Sequence, residues 1–424
     1  MTETVGIEAL NVYCGTAGIT VPTLFAARGL DPARMANLMM TARSVALPCE
    51  DPVTHAVNAA RPLLQAIGPE AAARIETLVT STESGIDYSK SVASYVHEHL
   101  GLSPRCRTVE VKQACYAATA ALQLGAGYLA SGVSPGAKVL VIATDVALVD
   151  QDAHYTEPAM GTGAAAVLLS TEPQVLTLDL GAFGLHSFQT LDSARPGPTF
   201  DIADSDRSLF AYLDCLSNSF RAYTERVEGA DFAETFDYLA FHTPFAGMVR
   251  AAHRKMTRDF AKDRLAAVDD DFATRVAPSL VYPAMVGNLC SGSVYLALAS
   301  LLDNGDVADG ARVGMYSYGS GCAAEFFSGV ADADSAAAVR RMRIQEQLDA
   351  RVDLDFAEYD ALLQENRRCL VPEPDRRIEV DAYRPILDRY GLQRDLLVYT
   401  GTKDYGRTYE WATAGDGRNP WPTA

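Results

Sequence analysis

At 424 residues the chain can bury one large core or two ordinary ones without disulfide or metal staples. Apolar residues make up 48% and charged residues 21%, an ordinary globular balance, and no apolar run is long enough to predict a membrane helix. The net charge of −18 argues against nucleic acid and anionic membrane surfaces, and an acidic protein partner would need a local basic patch.

The start, MTETVGIEALNVYCG, carries Glu3 and Glu8 and no basic segment ahead of a long apolar one, so a secretory signal is not expected and the cytoplasm is the default. β-like and helical runs then alternate, which predicts a layered α/β fold. The first half reads as a strand over Ile75–Thr80, a helix over Tyr88–Leu100, a strand over Thr108–Val111 and a helix over Tyr116–Ser131. Strands over Lys138–Thr144 and Ala164–Leu169 follow. The second half repeats the theme, with a strand over Phe236–Phe241, helices over Ala246–Lys262 and Ser293–Asp303, and strands over Val313–Ser317 and Ala323–Ser328. KVLVIATDVA…GTGAAAVLLS in the first half parallels RVGMYSYGSGCAAEFFSG in the second, each a strand, a Gly-rich turn and a strand, and this points to duplication. The organisation expected is a half over residues 1–175, a second over 176–330, and a charged, helical C-terminal appendage over 331–424 that completes the second half, with helices at Ala336–Leu348 and Phe356–Arg368.

Eight cysteines are scattered without a C-x-x-C pair, so neither a zinc site nor a disulfide framework is expected. Cys115 is distinctive because a β-run ends near Val111 and a slim Ala/Gly helix begins beside it. A thiol at a helix N-terminus faces the positive end of the dipole, which favours thiolate, although a buried structural cysteine fits the same pattern. Glu83, in VTSTESGIDYSK, follows a strand and is either an exposed N-terminal helix carboxylate or an acid/base group raised by burial. His242 follows an apolar strand that Pro244 helps to stop, and ligands gather at such strand ends. Asn288 precedes a small-residue helix, as a cap or as a ligand amide. Gly319, Ser320 and Gly321 form a turn whose N–H groups could hold an oxyanion, or a plain β-turn.

The ordered set TESGID, KQACYAATAALQL, FHTPFAGM, GNLCSGSVYLALASLL and SYGSGCAAEFFSG resembles the 3-hydroxy-3-methylglutaryl thioester synthases of the thiolase superfamily, over roughly residues 5–330 and again near TYEW at 408–411. The resemblance implies a thiolase-like five-layered αβαβα fold built from two similar halves, and a homodimer. It implies Cys115 as the acyl-accepting nucleophile, Glu83 as the general acid/base and His242 as the group that orients the acceptor. Asn288 would lie beside the acceptor carbonyl, and the turn at Gly319 and Ser320 would line the acyl pocket, with Pro244 as a further substrate contact. No metal and no tightly bound cofactor is implied; the substrate arrives on a phosphopantetheine thioester, of an acyl carrier protein or of coenzyme A.

Two classes of such enzymes are distinguished by that carrier. LDSARPGPTFDIADSDRSLFAYLDC, which lacks the aromatic-rich segment of the mevalonate class, looks like the acyl-carrier-protein class that installs β-branches in polyketides. Arg250, His253, Arg254 and Lys255, with Arg258, Lys262 and Arg264, crowd one helix that would guide an acidic carrier protein, hold coenzyme A phosphates, or simply face water. The alternatives are a coenzyme A-dependent synthase of the mevalonate pathway, a ketoacyl-synthase III-like enzyme, which TESGID argues against, and a non-catalytic scaffold. The donor acyl chain, acetyl or propionyl, is left open.

Overall fold

The computed structural model describes residues 4–147, 154–390 and 395–412, with the side chains of 154 and 155 excepted. Glu3 and the end of the C-terminal segment, 413–424, lie outside the described residues.

The first half contributes strands β1 (Gly6–Tyr13), β2 (Ile75–Ser81), β3 (Arg107–Val111), β4 (Lys138–Asp145) and β5 (Gly163–Ser170). Its helices are α1 (Pro52–Ala72), α2 (Val92–His99) and α3 (Ala117–Ala130). The second contributes β6 (Leu176–Ser187), α4 (Ser205–Arg226), β7 (Tyr238–Phe241), α5 (Ala246–Phe260), α6 (Ser293–Asn304), β8 (Arg312–Gly319) and β9 (Ala323–Val330). The nine strands lie in the order β7-β8-β9-β6-β1-β5-β4-β2-β3. From each outer edge inward the pattern is the same. Parallel β2/β4 is matched by parallel β7/β8, and antiparallel β4/β5/β1 by antiparallel β8/β9/β6. Among the described residues the second half has no counterpart of β3. Within the sheet the halves pair at Gly6 with Thr177 and Ile7 with Leu176, and the matching strand pattern on either side of that seam fits the duplication suggested by the two Gly-rich strand pairs.

Composition explains the layers. Strands β4 and β5 are buried along their whole length and are apolar through Val139–Ala143 and Ala164–Leu169, as strands covered on both faces must be. Helix α6 is buried through Leu302 and touches strands of both halves, and its Tyr295 hydroxyl meets Thr119 of α3 at 3.1 Å. These two helices form the middle layer, with α1 and α4 on the outer faces. Gly184 lets α4 approach β6: a Cβ there would sit 2.0 Å from the Ser219 carbonyl oxygen.

Some boundaries differ from the sequence reading. The helix expected from Tyr88 begins at Val92, because Asp87 accepts the N–H groups of Ser89 and Lys90 in a local turn and leaves Tyr88 fully exposed. The strand expected from Phe236 starts at Tyr238, since Arg275 takes the Phe236 carbonyl. The helix expected over Ala336–Leu348 is two, broken at Arg343, whose φ is 55°.

The C-terminal segment adds strands to the helices expected there and is stitched into the first half. Val352–Asp353 pairs with the strand Ala17–Thr20, and Leu396–Lys403 with Gly406–Ala412 forms most of a small sheet. Arg407 reaches Asp51 at 2.8 Å, and Tyr409 donates to the same carboxylate at 2.8 Å. Asp51 is itself the N-cap of α1, so the tail locks the start of that helix.

Candidate active site

Glu83, Cys115, Asp145, His242 and the turn after Gly319 all follow the carboxyl ends of strands, which is where the parallel strands of an open α/β sheet deliver ligand-binding groups. The Cys115 thiol donates to the Glu83 carboxylate at 2.9 Å. Glu83 is held from behind. Asp145 accepts from the Thr82 hydroxyl, the Glu83 N–H and the Ser84 hydroxyl at 3.2, 2.8 and 3.0 Å. Asp145 is buried, and its second oxygen makes no hydrogen bond among the described residues. Burial above all, then the neighbouring Glu83, raises its pKa.

The expectation that the helix N-terminus favours thiolate at Cys115 is corrected by this geometry. A hydrogen bond with the Cys290 thiol draws the Cys115 pKa down, but burial, Glu83 and Asp145 together push it up to about 12. Helix α3 begins at Ala117, beyond Cys115, and its partial dipole charge cannot match a full carboxylate in contact with the sulfur.

Ala114, at φ 44°, turns the chain tightly just before the nucleophile candidate. Gly319 makes room for that turn: a Cβ there would lie 2.5 Å from the Gln113 carbonyl oxygen and from the Tyr116 nitrogen. Gln113 in turn donates to the Ser320 carbonyl at 3.5 Å. The Gly321 N–H, expected to be free for an oxyanion, is spent on Asp192 at 2.9 Å; Ser320 N–H has no partner among the described residues. Asp192 also accepts from Tyr318 at 2.6 Å, and the Tyr318 ring lies 6.4 Å from His242. The nucleophile loop, the Gly turn and His242 are therefore one connected region.

His242 is 2% exposed, with its N–H donated to the Tyr316 carbonyl and its own carbonyl accepting from the Tyr212 hydroxyl, each at 2.7 Å. Its Nδ1 has no partner among the described residues, and burial lowers its pKa to about 3. The ring is thus neutral at pH 7. Asn288 uses Oδ1 twice, accepting from Cys290 N–H at 2.9 Å and Ser293 hydroxyl at 2.7 Å, which orients the amide and leaves Nδ2 facing elsewhere. Pro244 ends the strand beyond His242 and is partly exposed.

Besides Asp145 and Asp192, three further residues escaped the sequence reading. Cys290 brings its sulfur within 4.8 Å of both Cys115 Sγ and a Glu83 oxygen. Arg195, on the hairpin Ser193–Gly197/Phe200–Ala203, donates to the Glu83 carbonyl and Ser84 hydroxyl at 3.3 and 3.1 Å while paired with Asp201. Its signal was present as the lone arginine of the DSARP stretch, six residues before an aspartate. Glu325 accepts from Tyr116 at 2.7 Å and Gln123 at 2.6 Å, fixing the residue after Cys115, and burial raises its pKa to about 7.

The basic helix is not the bare cationic patch expected. His253 is buried against Asp271 at 2.6 Å, Lys255 binds Asp259 and Ser217, and Arg250 binds Asp269 at 2.9 Å. Arg254 is exposed with no ion pair among the described residues. The acidic side chains of Asp259, Asp269 and Asp271 pair with most of what the sequence places in a row.

The family models for the N-terminal and C-terminal parts of hydroxymethylglutaryl-coenzyme A synthase match residues 1–174 and 254–372. This chain belongs to the hydroxymethylglutaryl-coenzyme A synthase family. It is 42% identical to the polyketide biosynthesis 3-hydroxy-3-methylglutaryl-ACP synthase PksG of Bacillus subtilis, over 96% of this chain and 99% of that protein. It is 34% identical to the hydroxymethylglutaryl-CoA synthase of Enterococcus faecalis, over 85% of this chain and 92% of the other. The HMG synthase of the curacin biosynthetic pathway, solved in complex with its apo donor ACP, superposes with a TM-score of 0.92 at 43% identity, covering 96% of this chain and 100% of that one. The five-layered thiolase-like fold expected from the sequence is that of these synthases. The protein is an acyl-transferring, carbon–carbon bond-forming condensing enzyme.

Proposed function

We propose that the enzyme accepts an acyl group from an acyl carrier protein onto Cys115 and joins it by aldol addition to a β-ketoacyl carrier protein, installing a β-branch on a polyketide. The observation that carries this reading is the 2.9 Å contact between Cys115 Sγ and the Glu83 carboxylate, which sets a nucleophile against its base.

The thiol sulfur attacks the donor thioester carbonyl, its proton passes to Glu83 and on to the departing pantetheine sulfur, and acyl-Cys115 forms. Glu83, ionised again, removes a proton from the acyl α-carbon. The enolate carbon attacks the β-ketone of the acceptor, and Glu83 returns its proton to the new alkoxide. Water then cleaves the Cys115 thioester and frees the product. A neutral imidazole suits the acceptor role: one ring N–H of His242 and the Nδ2 of Asn288 polarise the ketone without adding a charge that the pocket would have to solvate. Ser320 N–H is a donor for the enolate oxygen, and a donor of this kind is worth about 2.7–4 kcal/mol.

A carrier-protein donor is supported by the higher identity to two carrier-protein synthases than to the coenzyme A enzyme, and by the hairpin that carries Arg195, which lies in the carrier-type stretch. A homodimer is supported at β3, an outermost strand with Val109 46% exposed, and by Leu124 of α3, 71% exposed. Among the described residues no helix is long and apolar enough to cross a membrane.

The test is intact-protein mass spectrometry after mixing the enzyme with acetyl-carrier protein or acetyl-coenzyme A. Faster acylation of Cys115 by the carrier is expected. Equal or faster acylation by coenzyme A would move the enzyme to mevalonate-type substrates, and acylation of a Cys115→Ala variant would remove Cys115 from its role.

A further inference from the structure

Cys290 has no part in the reaction proposed above, yet its sulfur is held against the reacting groups. Its N–H is bound by Asn288 and its φ is 49°, so the start of the short turn Cys290–Gly292 aims the side chain inward. Cys290 Sγ, Cys115 Sγ and a Glu83 oxygen lie within 4.8 Å of one another. Tetrahedral zinc with bonds of about 2.3 Å to sulfur and about 2.0–2.2 Å to oxygen separates its ligands by about 3.6–3.8 Å. To reach that spacing the Cys115–Glu83 contact of 2.9 Å would open and any donor pair wider than about 3.8 Å would close, by at most about 1 Å. Behind them the buried second oxygen of Asp145 has no hydrogen-bond partner among the described residues. Two sulfurs and a carboxylate select a soft, thiophilic cation rather than magnesium or calcium.

We propose that Glu83, Cys115 and Cys290 form a site for a thiophilic divalent cation of the zinc–cadmium class, which occupies the acylation pocket and reversibly blocks the enzyme. Binding forms two metal–sulfur bonds and one metal–oxygen bond, releases the two thiol protons to solvent, and changes no oxidation state. Water takes the fourth position. Because protons leave, affinity rises with pH. No sequence spacing reveals the site, since its ligands come from three separate strand ends and turns. That the bound form is inactive rests on the nucleophilic role proposed for Cys115; the binding itself does not.

The experiment is an anaerobic cadmium titration of the full-length reduced protein, followed by the thiolate-to-cadmium absorption band. One cadmium per chain is expected, reversed by chelator, with affinity about 100-fold weaker or more in Cys290→Ser and in Cys115→Ser, since losing a ligand costs at least as much as losing its supporting shell. An unchanged band and affinity in Cys290→Ser would overturn the site. If Cys290→Ser does not fold, Glu83→Gln serves instead: the band should persist with affinity about tenfold weaker, and unchanged affinity would overturn the carboxylate ligand and with it the site. Cadmium bound as expected but without effect on acyl transfer would uphold the site and refute Cys115 as nucleophile.

Discussion

Replacing Glu83 by glutamine separates two things that the carboxylate does to Cys115. Glu83 accepts the thiol hydrogen at 2.9 Å, and burial with Glu83 and Asp145 overrides Cys290 to hold the thiol pKa at about 12. Two unit charges about 4 Å apart at a dielectric near 20 interact by about 4 kcal/mol, or about three pKa units. Removing the charge therefore raises the thiolate fraction at pH 7 about 1000-fold. A less basic thiolate is also a weaker nucleophile, with a Brønsted slope of about 0.4–0.5, so the net gain in reaction rate is about 30–60-fold. Iodoacetamide alkylation at pH 7, quantified by mass spectrometry on the peptide holding Cys115, measures it. The same variant should still be acylated by the thioester donor but fail to condense. Slower alkylation than wild type would refute the reasoning, because it would mean that Glu83 already deprotonates the resting thiol rather than taking its proton only as the sulfur attacks the donor.

Asp145→Asn should leave acylation stoichiometry intact and slow condensation about 10–100-fold, read as product formation under saturating donor, since Asp145 holds the Glu83 N–H and both flanking hydroxyls and a misplacement of about 1 Å costs this much. His242 and His55 are both depressed by burial, to about 3 and about 4, so their stabilisation is complete above pH about 6.5 and drains as pH falls toward those values. At pH 5 each has cost about 2 kcal/mol, and urea midpoints at pH 7 and pH 5 should show His242→Asn losing about half as much of this as wild type. Arg407→Met should destabilise by about 3–5 kcal/mol in thermal or denaturant unfolding, because it leaves the Asp51 carboxylate, buried at the start of α1, without its counter-charge. Adding Asp51→Asn to that variant should restore part of the loss.

Periodicity and motif order in the sequence were enough to determine the duplicated α/β body, the strands around Glu83, Cys115 and His242, and the family. Those signals are local: an apolar run such as Val139–Ala143 is buried on both faces wherever it sits, and a Gly-rich turn such as that after Gly319 declares a close approach in any context. Electrostatics were not local. The row of cations from Arg250 to Lys255 looked like one patch until Asp259, Asp269 and Asp271 folded against it, and the helix beside Cys115 promised a thiolate until a carboxylate 32 positions away arrived at its sulfur. Charge interactions depend on distance through space and on burial, neither of which is written along the chain. For the same reason Cys290, Arg195 and Asp145 acquired their places at the site only when the strands converged, and the C-terminal segment proved part of the core only when Arg407 met Asp51.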